Sequence, residues 1–133
     1  MQDTFKHKGM RRQLINELRE KDPRITYVNQ QFIRSFGYDL STIPHLSDWA
    51  RLAYPDPQQR ATVFRAWDAG VAKARRGRGV VEPIEAKVTA ADGSVRDALF
   101  SAVVLGEELV LSVLDITAWR QAEQELQEAR SAL

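Results

Sequence analysis

Three side chains with acid–base chemistry lie close together in the sequence: His45, Ser47 and Asp48. A histidine base, a serine nucleophile and an orienting carboxylate are the components of a hydrolase triad. The base must lie within about 3 Å of the nucleophile, and neighbours in one loop do not meet that geometry. The sequence also lacks the Gly-x-Ser-x-Gly pattern of a nucleophile elbow. We therefore expect a domain that is not an enzyme.

The sequence supports neither metal binding nor thiol chemistry. The two histidines, His7 and His45, are far apart, and neither has other ligands at metal-site spacing. The sequence contains no cysteine, which excludes disulfides, thiolate catalysis and zinc–thiolate sites. We expect no metal site.

The composition is typical of one ordinary globular domain, with 133 residues, 44% of them hydrophobic and 28% charged. Nineteen basic residues against eighteen acidic ones give a net charge of +1, unlike a nucleic-acid-binding protein. Uncharged stretches are far shorter than the roughly 18 apolar residues of a membrane span. The first residues also lack the apolar segment of a secretory signal. We expect a cytoplasmic domain without a nucleic-acid partner, whose parent protein could be membrane-anchored.

The first third of the chain predicts strands followed by a helix. Residues 14–18 fit a helix or a strand equally well, because both geometries place Leu14 and Leu18 on one face. Residues 25–28 are β-branched or aromatic and predict a strand. A helix begins after Asn29, which can accept a hydrogen bond from its first turn, and ends at Gly37.

Further helices follow. Residues 41–54 predict short helical turns. Asp56 and Pro57 predict the start of a longer helix that reaches about Arg75. Gln59 stands three residues after Asp56, as in a capping box.

The next part of the chain predicts an antiparallel sheet. Strands over 84–90 and 95–105 are joined by Asp92-Gly93, a strong hairpin signal, and a third strand covers 109–114. The runs 99–105 and 109–114 are apolar on both faces, so something must cover each side of the sheet. Helices cover one side. For the other we expect a second copy of the chain, the alternative being residues 1–12 of the same chain.

Residues 117–133 predict a helix of another kind. Its apolar residues are spaced three and four apart, as in a coiled-coil seam, although two heptads are too short to pair alone. These seam residues are Trp119, Ala122, Leu126, Ala129 and Leu133.

Four segments, in this order and spacing, resemble a PAS domain. They are Ile-Thr-Tyr-Val-Asn…Phe…Phe-Gly-Tyr (25–38), Tyr-Pro-Asp (54–56), Asp-Gly-Ser-Val-Arg (92–96) and Asp-Ile-Thr (115–117). The resemblance implies an α+β fold: a five-stranded antiparallel sheet with helices packed on one face, residues 14–19 as the first strand, and a C-terminal helix. It implies a leader over 1–13, a sensory domain over 14–117 and a signalling helix over 118–133, as in bacterial sensor histidine kinases and diguanylate cyclases.

Two functions follow from this resemblance. The chain is either a sensory domain that binds a small molecule or dimerises and relays a conformational signal to a C-terminal output domain, or a ligand-free dimerisation scaffold. The sequence contains no P-loop, phosphoacceptor-histidine box or cyclase signature. The output domain would therefore be a kinase or cyclase outside this chain.

The resemblance also restricts the ligand. Flavin-adduct photochemistry needs a cysteine, and haem-binding relatives carry a histidine on the long helix, where this chain has none. We expect neither cofactor, and the ligand's identity stays open, non-covalent flavin included. A pocket between the sheet and the helices would be lined by large side chains with Ser101 or Ser112 as polar anchors, unless those side chains fill the core. The candidates are Tyr27, Phe32, Phe36, Trp49, Phe64, Trp67, Phe100 and Ser112. The indole N–H groups of Trp49 and Trp67, which need partners when buried, favour the cavity.

The junction Asp115-Ile116-Thr117 links the last strand to the terminal helix. We expect the Thr117 hydroxyl to cap that helix and Asp115 to accept hydrogen bonds from first-turn N–H groups or an arginine. A ligand that moves the last strand would then reorient the helix, provided that it binds the two states differently. The alternative is a capped surface helix without coupling.

Overall fold

The computed structural model describes residues 5–6 and 22–132. They form an α+β fold in which an antiparallel sheet carries helices. In chain order the elements are β1 (Phe5–Lys6), β2 (Arg24–Ile25), α1 (Gln30–Phe36), α2 (Leu46–Ala53), α3 (Pro57–Arg76), β3 (Val80–Thr89), β4 (Val95–Leu105), β5 (Glu108–Asp115) and α4 (Thr117–Ser131).

Three long strands make up most of the sheet. β4 lies in the middle and pairs with β3 and with β5, both antiparallel. β3 begins four residues before the predicted start at Ile84, so that boundary was wrong. The reason is Pro83, which has no N–H to donate and lies where the β3–β4 register shifts, between Val81 and Ile84. The strand bends at this point and continues.

The predicted five-stranded sheet is confirmed only for its three long strands. Beside β5 lie the two-residue strands β1 and β2, in the order β2-β1-β5-β4-β3. The strand predicted over 25–28 was too long: β2 covers Arg24–Ile25, where Ile25 donates its N–H to the Pro44 carbonyl and Arg24 bridges to His45, and residues 26–28 form no strand. The predicted first strand, 14–19, and the ambiguous segment 14–18 lie outside the described residues, as does most of the leader 1–13.

Most of the helix ends predicted from local sequence signals are confirmed. The Asn29 side chain accepts from the N–H of Phe32 at 2.8 Å, and Gly37 ends α1 with φ of +82°. Asp56 caps α3 by accepting from the N–H of Gln58. The capping box predicted with Gln59 was wrong, because the Gln59 amide instead donates to the Lys87 carbonyl at 2.8 Å.

The core lies between α1–α3 and the inner face of the sheet. Alternate strand residues are buried there, and aromatic rings from the helices fill the remaining space. The fully buried side chains with the largest volumes are Tyr54, Phe36, Ile43, Val71, Val81 and Val88.

The opposite, outer face of the sheet is mixed: charged residues Glu85, Lys87 and Asp97 lie under α4, and exposed apolar residues lie elsewhere on it. The strand residues that alternate with the buried ones point to this side. Their exposed fractions are 62% for Val80, 56% for Val95, 39% for Val103, 56% for Leu105 and 55% for Leu114.

We expect Gly37→Ala to destabilise the domain more than Gly93→Ala. Both glycines have φ near +85° (+82° and +88°), which costs an L-residue about 1–2 kcal/mol. At Gly37 an added Cβ would also lie 2.8 Å from the Ala91 Cβ, whereas nothing lies within 4 Å at Gly93. That overlap should lower the free energy of unfolding by about 1–3 kcal/mol more. Urea denaturation of both variants measures the difference, and equal losses would contradict the close packing of α1 on the β3–β4 hairpin.

Candidate functional site

A cleft of about 430 Å³ lies beside the edge of β5 that faces away from β4. Among the described residues, β1 pairs with β5 only at Glu108 and Leu109, and the cleft begins immediately after them. Five consecutive residues of β5, 110–114, form one wall. The segment from Tyr27 to Phe32 forms the other wall, and Ile25, Ile43 and Trp49 also contribute to the lining.

The cleft wall is mainly apolar, with a few polar side chains. Ser112 lies on the strand side, and Asn29 and Gln31 lie on the helix side. Asn29 already accepts from the N–H of Phe32, and the Gln31 amide donates to the Ser35 hydroxyl at 3.2 Å. An apolar wall with few polar anchors is the usual construction of a small-molecule site.

Trp49 joins the cleft to the core. Its side chain is 5% exposed, and its ring makes edge contacts with Tyr38, Tyr54 and Phe100 and a tilted contact with Phe32. The Tyr54 ring lies edge-on to Trp49 with 5.9 Å between the ring centroids, and burial raises the pKa of Tyr54 so that its hydroxyl stays protonated. That a ligand supplies the polar partner of the Trp49 indole N–H stays a prediction.

The eight predicted pocket residues separate into two groups. Tyr27, Phe32, Trp49 and Ser112 lie together on the cleft wall. The other four lie elsewhere: Phe36 and Phe100 are buried in the core, the Phe64 ring contacts Tyr54, and the Trp67 ring contacts Phe100. Ser101, the other predicted anchor, pairs with Ser112 across β4 and β5 but does not line the cleft.

At the end of β5 the chain enters a hydrogen-bonded junction with β4. The carboxylate of Asp115 accepts from Arg96 Nε at 2.9 Å through one oxygen. Its other oxygen accepts from the Thr117 N–H at 2.9 Å and from the Thr117 hydroxyl at 2.5 Å. Asp97 joins β4 to the helix, because its N–H donates to Thr117 Oγ1 and its carbonyl accepts from the Ile116 N–H, both at 2.8 Å.

The predicted role of Thr117 as the helix cap was wrong. Ile116 occupies the N-cap position without a side-chain cap, and Thr117 is the first residue of α4. The Thr117 hydroxyl is engaged instead by Asp97 and Asp115, so it ties α4 to the neighbouring strand.

The Asp115 carboxylate is kept in its charged form by the groups that hydrogen-bond to it. Burial is the largest single influence and would raise the pKa of Asp115, but the hydrogen bonds from Thr117 and Arg96 together outweigh it. The pKa of Asp115 therefore lies below its usual value, and the carboxylate stays ionised opposite Arg96.

The predicted seam lies along the exposed side of α4. Trp119 is 57% exposed and Leu126 55%, and Ala122 and Ala129 are also exposed. Leu133, the last seam residue, lies outside the described residues.

The residues with hydrolase-like chemistry are engaged separately. Ser47 Oγ donates to Asp22 at 2.8 Å, and His45 Nδ1 lies 3.7 Å from Asp48.

Within residues 5–6 and 22–132, no three acidic or histidine side chains gather as a metal site would require. None of the described helices combines the length and the hydropathy needed to cross a membrane.

A solved structure has the same fold. It is described as a sensory box histidine kinase/response regulator from Burkholderia thailandensis E264, and it matches with a TM-score of 0.53 and 21% sequence identity. The match covers 80% of this chain and 79% of the other. The fold is PAS-like. No family model matches the chain, and neither does any curated protein.

Several residues of the cleft and the junction were missed in the sequence. Ile43, Leu111 and Val113 line the cleft, yet in sequence they are ordinary apolar residues without a distinguishing signal. Arg96 did carry a signal. It belongs to the Asp-Gly-Ser-Val-Arg segment, and the pairing of Ala98 with Asp115 brings it beside that carboxylate.

Proposed function

We propose that this chain is a PAS-type sensory domain, its sheet completed to five strands by the N-terminal segment, which relays occupancy of the cleft to an output domain beyond α4. One observation carries the proposal: the cleft and the junction share β5. Residues 110–114 form a cleft wall, and the same strand ends at Asp115. A ligand that displaces this wall therefore acts on the first residues of α4.

The walls favour a small, mainly apolar or aromatic ligand. A volume of about 430 Å³ is within the range of about 300–1,000 Å³ usual for small-molecule sites. The rings of Tyr27, Phe32 and Trp49 offer stacking surfaces, and the Ser112 hydroxyl offers a hydrogen-bond partner.

The signal would pass through a short, rigid connection. Asp115 is fixed to β4 by Arg96 and to α4 by Thr117, and Asp97 holds both strand and helix. A shift of β5 relative to β4 must therefore stretch this network or rotate the base of α4. Two arrangements of that network, bound differently by the ligand, would constitute the switch.

A second copy of the chain is the expected partner on the outer face. Val80, Val103, Leu105 and Leu114 are exposed apolar residues on this face, and packing against a second copy would remove their surface from water. A dimer through this face would also bring two α4 helices near each other, and their exposed seams, with Trp119 and Leu126, could then pair. An attached histidine kinase or diguanylate cyclase would respond to that pairing.

This role is regulatory, not catalytic. The serine and histidine that could act as nucleophile and base have different partners, Asp22 for Ser47 and Asp48 for His45. The domain would act through binding and conformation.

Native mass spectrometry of the chain purified from cells tests the proposal. We expect a dimer that carries a small molecule in stoichiometric amount. Gln31→Trp, at the exposed rim of the cleft, should reduce occupancy about tenfold, because filling a packed site costs about 1–3 kcal/mol. Gln30→Trp is the matched control, since Gln30 is exposed on the same helix but does not line the cleft.

Two outcomes would contradict parts of this proposal. A dimer that is repeatedly empty, and that shows no thermal shift with a metabolite library, would favour a ligand-free scaffold. A monomer at tens of micromolar would contradict the dimer through the outer face.

A further inference from the structure

α4 is held against the sheet with very little apolar contact. None of the described residues of this helix is buried, so hydrophobic burial does not fix its direction. Its first residues are tied to β4 through Ile116 and Thr117. Beyond that first turn, the direction of the helix depends on polar contacts.

Arg120 makes the contact that reaches furthest across to the sheet. Its Nη2 pairs with the Glu85 carboxylate on β3, 35 positions earlier in the chain. The two side chains are 38% and 48% exposed. The pair therefore joins the first full turn of α4 to the strand that lies two positions away from β5 in the sheet.

Arg120 also contacts a second carboxylate, on its own helix. Its Nη1 lies 3.4 Å from the Glu123 carboxylate, and its guanidinium carbon lies 5.4 Å from the centre of the Trp119 ring. When the pair with Glu85 opens, Arg120 keeps a carboxylate and an aromatic face. Because these contacts are made in both arrangements, opening loses only one exposed ion pair, and the exchange costs little.

The space beneath the helix is polar and open. A cleft of about 560 Å³ separates α4 from β3 and β4, with Glu123, Gln124 and Gln127 on the helix side. Lys87 and Asp97 form the opposite wall and pair with each other at 2.7 Å. Water can fill such a space, so the helix can move away without leaving an apolar surface exposed.

We propose that Glu85 and Arg120 form an ion-pair latch that sets the angle between α4 and the sheet. When the latch is closed, α4 lies over β3 and β4. When it is open, Arg120 keeps Glu123 as its carboxylate partner and the helix pivots about the Thr117–Asp97 contact. The part played by the latch in signalling rests on the proposed sensory function, but the docking itself does not.

Distance measurements between two spin labels test the latch. The chain has no native cysteine, so Ala66→Cys on α3 and Ser131→Cys near the end of α4, both exposed, can be labelled specifically. Fourteen residues separate Ser131 from Thr117, where the helix pivots, a lever of about 21 Å along the helix. A pivot of 20° would therefore move the label by about 7 Å. Dilution with unlabelled protein removes distances between protomers.

Glu85→Gln should lower the ratio of docked to released helix about threefold, the size expected for an exposed ion pair. Arg120→Gln should have a similar effect, and the double variant should be no worse than either single variant, because one interaction is lost only once. Glu82→Gln is the matched control, since it breaks the exposed Lys73–Glu82 pair between α3 and β3 and does not involve α4.

An unchanged distance distribution in Glu85→Gln, with the variant folded by circular dichroism, would overturn the latch. Effects of the two single variants that add in the double variant would do so as well. Neither result would affect the proposed sensory function, because the cleft and its ligand are measured separately by native mass spectrometry.

Discussion

Trp49→Ala is expected to lower the free energy of unfolding by about 3–5 kcal/mol, the range for truncating a buried tryptophan. The Trp49 side chain is 5% exposed and contacts four other aromatic rings. Removing it opens a cavity that the rigid rings around it cannot close.

Two further variants test this position. Trp49→Phe keeps most of the ring contacts and leaves a smaller cavity than alanine, so its loss should be the smaller one. Trp119→Ala removes the same side chain from an exposed position on α4 and should change stability by no more than about 0.5 kcal/mol. Urea unfolding followed by far-UV circular dichroism avoids a signal that depends on tryptophan. A loss below 1 kcal/mol in Trp49→Ala would contradict the central position of this ring.

The same ring connects stability with the proposed site. Trp49 lines the cleft and also contacts Phe100 on the inner face of β4. A ligand against this wall would thus be supported by the packed core. Binding should raise the unfolding temperature by an amount that grows with the logarithm of the ratio of ligand concentration to Kd.

The sequence predicts best the structure that depends on neighbours along the chain. Asn29 and Gly37 bound α1 as expected, because a cap needs only the backbone a few residues away. The hairpin at Asp92-Gly93 has the same origin, with Gly93 at φ of +88°. Residues Val95–Leu105 form β4 with the predicted bounds.

Contacts between distant segments account for the predictions that were wrong. Gln59 and Thr117 were assigned to local caps by their positions in the sequence, but Gln59 bonds to Lys87 and Thr117 bonds to Asp97. Helix–sheet packing decides such pairings, and the sequence carries no local signal of it. The pair between Arg120 and Glu85 was missed for the same reason.

The cleft residues were predicted only in part for the same reason, because contacts between distant segments decide which side chains line the cleft. Large side chains were identified as a group, but the sequence could not separate those that fill the core from those beside open space. Phe32 lines the cleft, whereas Phe36, one turn later on the same helix, is 1% exposed and packs in the core. The position of α1 relative to β5 makes this distinction.

Asp115→Asn is expected to uncouple the cleft from the helix. In a fusion of this chain to a histidine kinase, the variant should lose most of the kinase's response to the ligand while still binding that ligand. The asparagine side chain has nearly the same shape but no charge, so it cannot hold Arg96 and the two donors of Thr117 as strongly. Loss of these charge-assisted bonds should also lower the free energy of unfolding by about 1–2 kcal/mol.

The pH dependence of that stability loss has a defined sign. Because the folded pKa of Asp115 lies below its unfolded value of about 3.9, the carboxylate stabilises the fold at all pH values above that unfolded pKa. The stabilisation is lost as the pH falls through the lower, folded pKa. Urea unfolding should therefore show a clear difference between wild type and Asp115→Asn at pH 7, and the difference should shrink with acidification below about pH 4.

Asp92→Asn is the matched control for the uncoupling. Asp92 accepts from the N–H and the hydroxyl of Ser94 at 2.9 and 2.7 Å, as Asp115 does from Thr117, and its hydrogen bonds from Ser94 lower its pKa too. Asp92 belongs to the β3–β4 turn, however, and Asp115 to the connection between β5 and α4. Asp92→Asn should therefore leave the kinase response intact. If Asp115→Asn binds the ligand, stays folded and keeps the full response, β5 moves independently of α4 and this junction does not transmit the signal.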